Sequence, residues 1–170
     1  NTGFWIALRC DEIFRDDSIC DYEKTLAIIY LLLGEEAMKD TEHQEKIVKL
    51  LTKYLLCGKN PDEIEGTNEE PSMDFKQDMG RIKTSFMSDY AIDLDSTDMH
   101  WWKFHDMLEG LKDDSVLSRV RTIREEPLAG KKGKEREKWE KAKKQVALKR
   151  EKTQKEKEMD KWWEEQMKKR

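Results

Sequence analysis

Proline and glycine are scarce in this chain, with three and eight among 170 residues. Turn-rich β architectures need both for the backbone angles of their hairpins, so the shortage argues for helices. Cysteine is scarce as well. Cys10, Cys20 and Cys57 are an odd number without a CxxC spacing, which argues against a disulfide framework or a structural zinc site and fits a reducing compartment. The longest apolar run, 26–33, falls far short of the ~20 residues that cross a bilayer, so no membrane segment is expected. The sequence begins at Asn1 without an initiator methionine, so an N-terminal segment is expected upstream.

Catalytic signatures are missing too. No GxGxxG, Walker or HExxH pattern occurs, and Ser85, Ser88 and Ser115 lack a nucleophile-elbow context. Of the three histidines, His100 and His105 would project about 140° apart on one helix, a poor arrangement for shared metal ligation. The expectation is a protein with no catalytic, cofactor-binding or metal-binding residues.

What the chain has in abundance is charge, at 41% of residues against 36% hydrophobic. The net value of −4 hides an asymmetry. Residues 1–127 hold 28 acidic and 16 basic side chains, a balance of −12, whereas 128–170 hold 9 and 17, a balance of +8. Such a split points to an acidic helical body followed by a basic, Lys/Glu-rich interaction tail.

Apolar spacing and capping residues divide the body into about six short helices forming a compact bundle. The first is capped by Thr2 and runs to about Phe14; the second, 22–33, follows Asp21 and ends at Gly34. Being apolar nearly all round, this second helix is expected to be the most buried element. A capping box of Thr41 and Gln44 opens a third helix that ends before Gly58. Residues 59–73, with two prolines, Gly66 and several acidic side chains, read as a flexible linker within the body. Asp74 and Gln77 begin a fourth helix carrying Phe75, Met79, Ile82, Phe86 and Tyr90 at spacings of three or four. A short connector at 91–94 leads to a fifth helix, 99–108, capped by Thr97 or Asp98. A sixth, capped by Asp113 or Asp114, ends near Pro127.

From Lys134 onward there is neither glycine nor proline. One continuous charged helix is expected over 134–170, spanning ~55 Å at 1.5 Å per residue. Its apolar residues are too sparse to sustain a heptad, which argues against a self-sufficient coiled coil. Trp139, Trp162, Trp163 and Met167 on this tail are candidates for contact with a protein partner. In the body, Trp101, Phe104 and Leu108 share a helix face suited to the core, while Trp102 adds apolar surface to a second face and joins the candidates. Basic residues with tryptophan could also bind nucleic acid through phosphate charge and base stacking. Glutamates alternating with the lysines dilute that field and argue against nucleic acid as the partner, so a nucleic-acid-binding accessory protein stands as the alternative.

Several strings add a resemblance. Asn1-Thr2-Gly3-Phe4, Lys53-Tyr54-Leu55-Leu56-Cys57-Gly58-Lys59 and Asp74-Phe75-Lys76-Gln77-Asp78 come first. Ser85-Phe86, Tyr90-Ala91-Ile92-Asp93-Leu94, Met99-His100-Trp101-Trp102-Lys103-Phe104, Leu108-Glu109-Gly110-Leu111 and Ile123-Arg124 follow in order. Together they resemble the gene-product-fifteen family of long-tailed bacteriophages and prophages, through nearly the whole chain including its Lys/Glu-rich end. The family pattern has glycine where Ala91 stands, a departure expected to affect only the turn, and an N-terminal β-hairpin-like segment that this sequence does not contain. The resemblance implies a tail assembly chaperone without enzymatic activity. Its partners would be the tape measure and tail tube proteins, and it would form a homo-oligomer. It would act in the cytoplasm of the bacterial host and be absent from the finished virion.

Overall fold

The computed structural model describes residues 2–60 and 71–149, together with Met159, Trp162 and Met167. Among these, eight helices and no strand are found: α1 (Phe4–Phe14), α2 (Asp21–Leu33), α3 (Glu35–Lys39), α4 (Gln44–Leu55), α5 (Phe75–Tyr90), α6 (Trp101–Glu109), α7 (Val116–Glu125) and α8 (Gly133–Val146). The all-helical expectation is met, with seven helices rather than six before the tail. The extra one is α3, which starts directly at Gly34; this glycine (φ +90°) ends α2 and also precedes the first turn of α3.

The main core forms where α1, α5, α6 and α7 meet. Phe104 stacks against Phe4 and Phe86 at ring separations of 4.7 and 5.2 Å, and Ile82, Leu94, Met99, Trp101, Leu108 and Leu117 close around them. Offset aromatic stacking contributes about 0.5–1.5 kcal/mol per pair beyond the area removed from water. A smaller core of Cys10, Ile29, Leu32 and Leu51 lies between α1, α2 and α4. Trp101, Phe104 and Leu108 are buried as their spacing on α6 indicated.

Helix α2 corrects an expectation. Only Ile29 and Leu32 are buried, while Tyr22, Tyr30 and Leu33 are 64%, 55% and 52% exposed. Its main packing neighbours are α1, α3 and α4, and they leave one face uncovered. An apolar helix is buried all round only when neighbours surround it, and sequence does not supply that count.

Several helix starts also differ from expectation. Helix α1 follows Gly3, without a side-chain cap from Thr2. A two-residue antiparallel bridge holds it, in which Phe4 N donates to Met99 O (2.9 Å) and Trp101 N to Thr2 O (3.0 Å). Cys20, preceding α2, pairs reciprocally with Glu23. Helix α4 follows His43, so the box of Thr41 and Gln44 does not form. His100 Nδ1 accepts from Trp102 N at the start of α6, in place of the expected Thr97 or Asp98, and Ser115 Oγ accepts from Ser118 N at the start of α7, in place of Asp113 or Asp114. Asp74 caps α5 as expected, its Oδ1 accepting from Gln77 N at 2.8 Å.

The continuous helix expected over 134–170 is interrupted. Helix α8 ends at Val146, and Ala147 is extended (φ −55°, ψ 137°). Two distant side chains capture the backbone there. Arg124 Nε donates to Val146 O (2.7 Å), while Gln77 pairs with Lys149 in both directions, donating to its carbonyl at 2.9 Å and accepting from its N–H at 2.7 Å. An amide side chain that satisfies both backbone groups removes the drive to continue the helix. Met159, Trp162 and Met167 are again helical and exposed. Trp163 lies outside the described residues, as does 61–70 of the expected linker.

Candidate interaction surface

Trp102 is one half of a paired device. The last carbonyls of a helix lack intrahelical partners, and at the end of α4 two adjacent indoles supply them. Trp101 Nε1 donates to Leu55 O at 3.0 Å and Trp102 Nε1 to Tyr54 O at 2.8 Å. Beyond them the chain turns through left-handed Cys57 and Gly58 (φ +53° and +87°), and Gly58 N donates back to Lys53 O. The Trp102 ring lies over Gly58, stacks on Tyr54 at 6.2 Å and meets His100 edge-on at 5.9 Å. Tyr54 is tied down by its hydroxyl, which donates to Thr2 O, and burial pushes its pKa up to about 12.

The result is a rigid aromatic platform. Trp101 is swallowed by the core, whereas Trp102 stays 41% exposed with its only polar atom already bonded. A partner covering this ring would desolvate hydrocarbon and strand no donor, which is the chemistry of an interface anchor.

The tail residues are placed differently. Trp139 lies half-buried on α8 with the Lys131 ammonium 5.0 Å from its ring centre, on a helix packed against α7. Met159, Trp162 and Met167 are 58%, 50% and 72% exposed. Thus Trp102 and Trp139 belong to separate surfaces of the folded part, and nothing described brings them together.

Sequence reading missed the polar cluster that seats α8. Asp78 is fully buried and receives Arg124 through two nitrogens (2.6 and 3.0 Å), Arg81 at 2.6 Å and the Asp74 N–H at 3.1 Å. Burial alone would raise the Asp78 carboxyl, but the Arg124 bond, the Asp74 N–H and Arg81 outweigh it and hold the group below the usual carboxylate range. Arg124 also donates to Ser72 O, and Lys143 Nζ donates to Arg124 O. Around this cluster runs a cavity of about 490 Å³ lined by Ser72, Asp74, Gln77, Arg124, Lys143 and Lys149 among others. Its principal polar groups are committed to one another, so it serves as a seat for the backbone at 146–149. The signals available beforehand were Asp74-Phe75-Lys76-Gln77-Asp78 and Ile123-Arg124 among the strings of the resemblance.

Reactive groups elsewhere are subdued. Burial raises the Cys10 thiol to about 11 and also raises Cys57; Cys20 is exposed. His43 precedes α4 beside Asp40, His100 caps α6 and His105 faces Glu109 at 3.9 Å. Among the described residues no group of three or more His, Cys, Asp or Glu side chains is placed to hold a metal ion. No helix described is long and apolar enough to cross a membrane.

The model of a family described as Bacteriophage Gp15 protein matches residues 1–148. The match takes in α1–α8 and ends beside the backbone seat at Lys149, leaving 149–170 outside it. No curated protein and no solved structure matches the chain.

Proposed function

The chain belongs to the bacteriophage Gp15 protein family, and from that premise we propose that it is a non-catalytic tail assembly chaperone that binds the tape measure protein and assists assembly of the tail tube. The observation that carries the reading is the Trp102 platform, a half-exposed indole whose N–H is satisfied by Tyr54 O and whose ring is braced by Tyr54 and His100. A client that is long, helical and apolar needs flat hydrocarbon contacts of this kind more than it needs a deep pocket. Tail tube subunits are the second partner in this reading. It places the chain in the host cytoplasm during assembly and outside the finished virion.

A second reading, a nucleic-acid-binding accessory protein, draws on the +8 balance of 128–170. It requires affinity that falls steeply with salt. Lys131 and Arg136 are already paired with Glu126 and Glu140, which neutralises part of the charge that phosphates would need, and Lys143 is turned onto the Arg124 carbonyl.

The test is co-expression with the tape measure protein, expected to be encoded by a very long, coiled-coil-rich neighbouring reading frame. The chain should raise the soluble fraction of that protein. Trp102→Ala should lower the effect and Trp102→Phe, which keeps a ring, should retain most of it. Equal rescue by the wild type and by Trp102→Ala would remove the platform from the account.

A further inference from the structure

The uncovered face of α2 joins an apolar stripe to an acidic border. Tyr22, Leu26, Tyr30 and Leu33 fall within about 80° of one another around the helix axis. Leu26 is partly buried and the other three are more than half exposed. Together they present on the order of 400 Å² of mostly hydrocarbon surface, the size at which a patch on a monomer marks an interaction site. Residues 11–40, which carry the stripe, contain nine acidic and three basic side chains. Asp21 and Glu23 stand in the first turn of α2, and Glu35 and Glu36 follow Leu33 in the first turn of α3. Of the three cations, Arg15 is paired with Asp11 and Lys39 with Glu35, while Lys24 lies on the side of α2 opposite the stripe. Carboxylates thus border the stripe at both ends, and the one cation of α2 points away from it.

Area and charge select the occupant. A stable contact between two copies buries ~800 Å² on each, about twice what the stripe offers. Pairing the stripe with itself would also press two acidic borders together. Anionic lipid is repelled by the same carboxylates. One side of a partner helix fits better. Helix α2 has 13 residues and is about 20 Å long. Over that length a partner helix presents three or four apolar side chains, at i, i+3 or i+4, and i+7. Lysines and arginines flanking those side chains would meet Asp21, Glu23, Glu35 and Glu36. The exposed rings of Tyr22 and Tyr30 add faces over which a cation is attracted.

We infer that the Tyr22–Leu26–Tyr30–Leu33 face of α2 is a docking site for an amphipathic helix of another protein, one whose apolar stripe is flanked by Lys and Arg. The tyrosines and leucines supply the contact area, and the acidic border sets the sign of the partner's charge. The inference goes beyond the chaperone reading and uses none of the Trp102 platform, so either can fail without the other.

Two labelled synthetic peptides of about five helical turns test it by fluorescence anisotropy with the full chain. Both carry leucine at i, i+3, i+4 and i+7; one has lysine at every other position and the other glutamate. The wild type should bind the lysine peptide at least about tenfold more tightly than the glutamate peptide, and at least about tenfold more weakly in 500 mM than in 50 mM salt. Tyr30→Ser with Leu33→Ser should weaken binding about tenfold or more, and Tyr22→Ser should weaken it in the same direction. These positions are exposed, so folding is retained and circular dichroism verifies it. Trp102→Ala should bind as the wild type does. No binding of the lysine peptide, equal binding of the two peptides, or binding unchanged by the stripe substitutions overturns the inference. So does self-association of the wild type that Tyr30→Ser with Leu33→Ser abolishes, because a second copy would then cover the face.

Discussion

Replacing Asp78 by asparagine should destabilise the protein by about 3–5 kcal/mol, the range for breaking one partner of a buried ion pair. Asp78 is fully buried and Arg124 is only 8% exposed, so neither charge has recourse to water. The asparagine keeps one acceptor oxygen but turns an amide N–H₂ toward two guanidinium groups that donate at 2.6–3.0 Å. At 2–4 °C per kcal/mol for a chain of this length, the melting temperature should fall by about 6–20 °C. The acid limb of stability should change as well. The carboxyl is held below its unfolded value, so its contribution is complete above about pH 4 and disappears as pH falls through the folded pKa. Wild type should therefore lose stability steeply below pH 4, and Asp78→Asn should lose less over the same range. The cluster also anchors Val146 O through Arg124, so amide exchange at 146–149 should quicken in the variant. Thermal melts by circular dichroism from pH 2 to 7 read these effects. A fall of less than 2 °C for Asp78→Asn at pH 7, or an unchanged acid limb, would refute the reasoning.

Other expectations are smaller in scale. Ala91 occupies the left-handed region (φ +54°) at the end of α5, where a Cβ costs about 1–2 kcal/mol; Ala91→Gly should stabilise by about 0.5–1 kcal/mol after the glycine's entropy in the unfolded chain is set against it, and a destabilised variant in urea titration would contradict this. With a thiol reagent at pH 8, Cys20 should react first, Cys57 more slowly and Cys10 only on unfolding; rapid modification of Cys10 would contradict its burial. The Cys10 thiol, raised to about 11 in the fold, adds stability below the unfolded thiol value that is lost as pH rises toward 11, so Cys10→Ala should flatten the alkaline limb of a pH–stability curve.

How far sequence carried depended on the range of the determining contact. The helical class, the inward face of α6 and the Asp74 cap are set by spacing and by residues within a turn, and all three are found in place. The start of α1 is not local, because residues almost a hundred positions away supply its bridge. The exposure of α2 depends on how many helices surround it, and its composition reads alike either way. The break after α8 needs Arg124 and Gln77 in the folded bundle to take the backbone at Val146 and Lys149; composition at 147–149 contains no such signal. Trp102 was legible as a second-face tryptophan, whereas the satisfied N–H that makes it an economical anchor required its neighbour α4.

The most direct measurement is amide exchange on the complex between this chain and the co-expressed tape measure protein. The account predicts co-purification, with slowed exchange in the full chain at 54–58 and 100–105, around the Trp102 platform. Absence of co-purification, or a complex in which that platform exchanges as it does in the free protein, would contradict it.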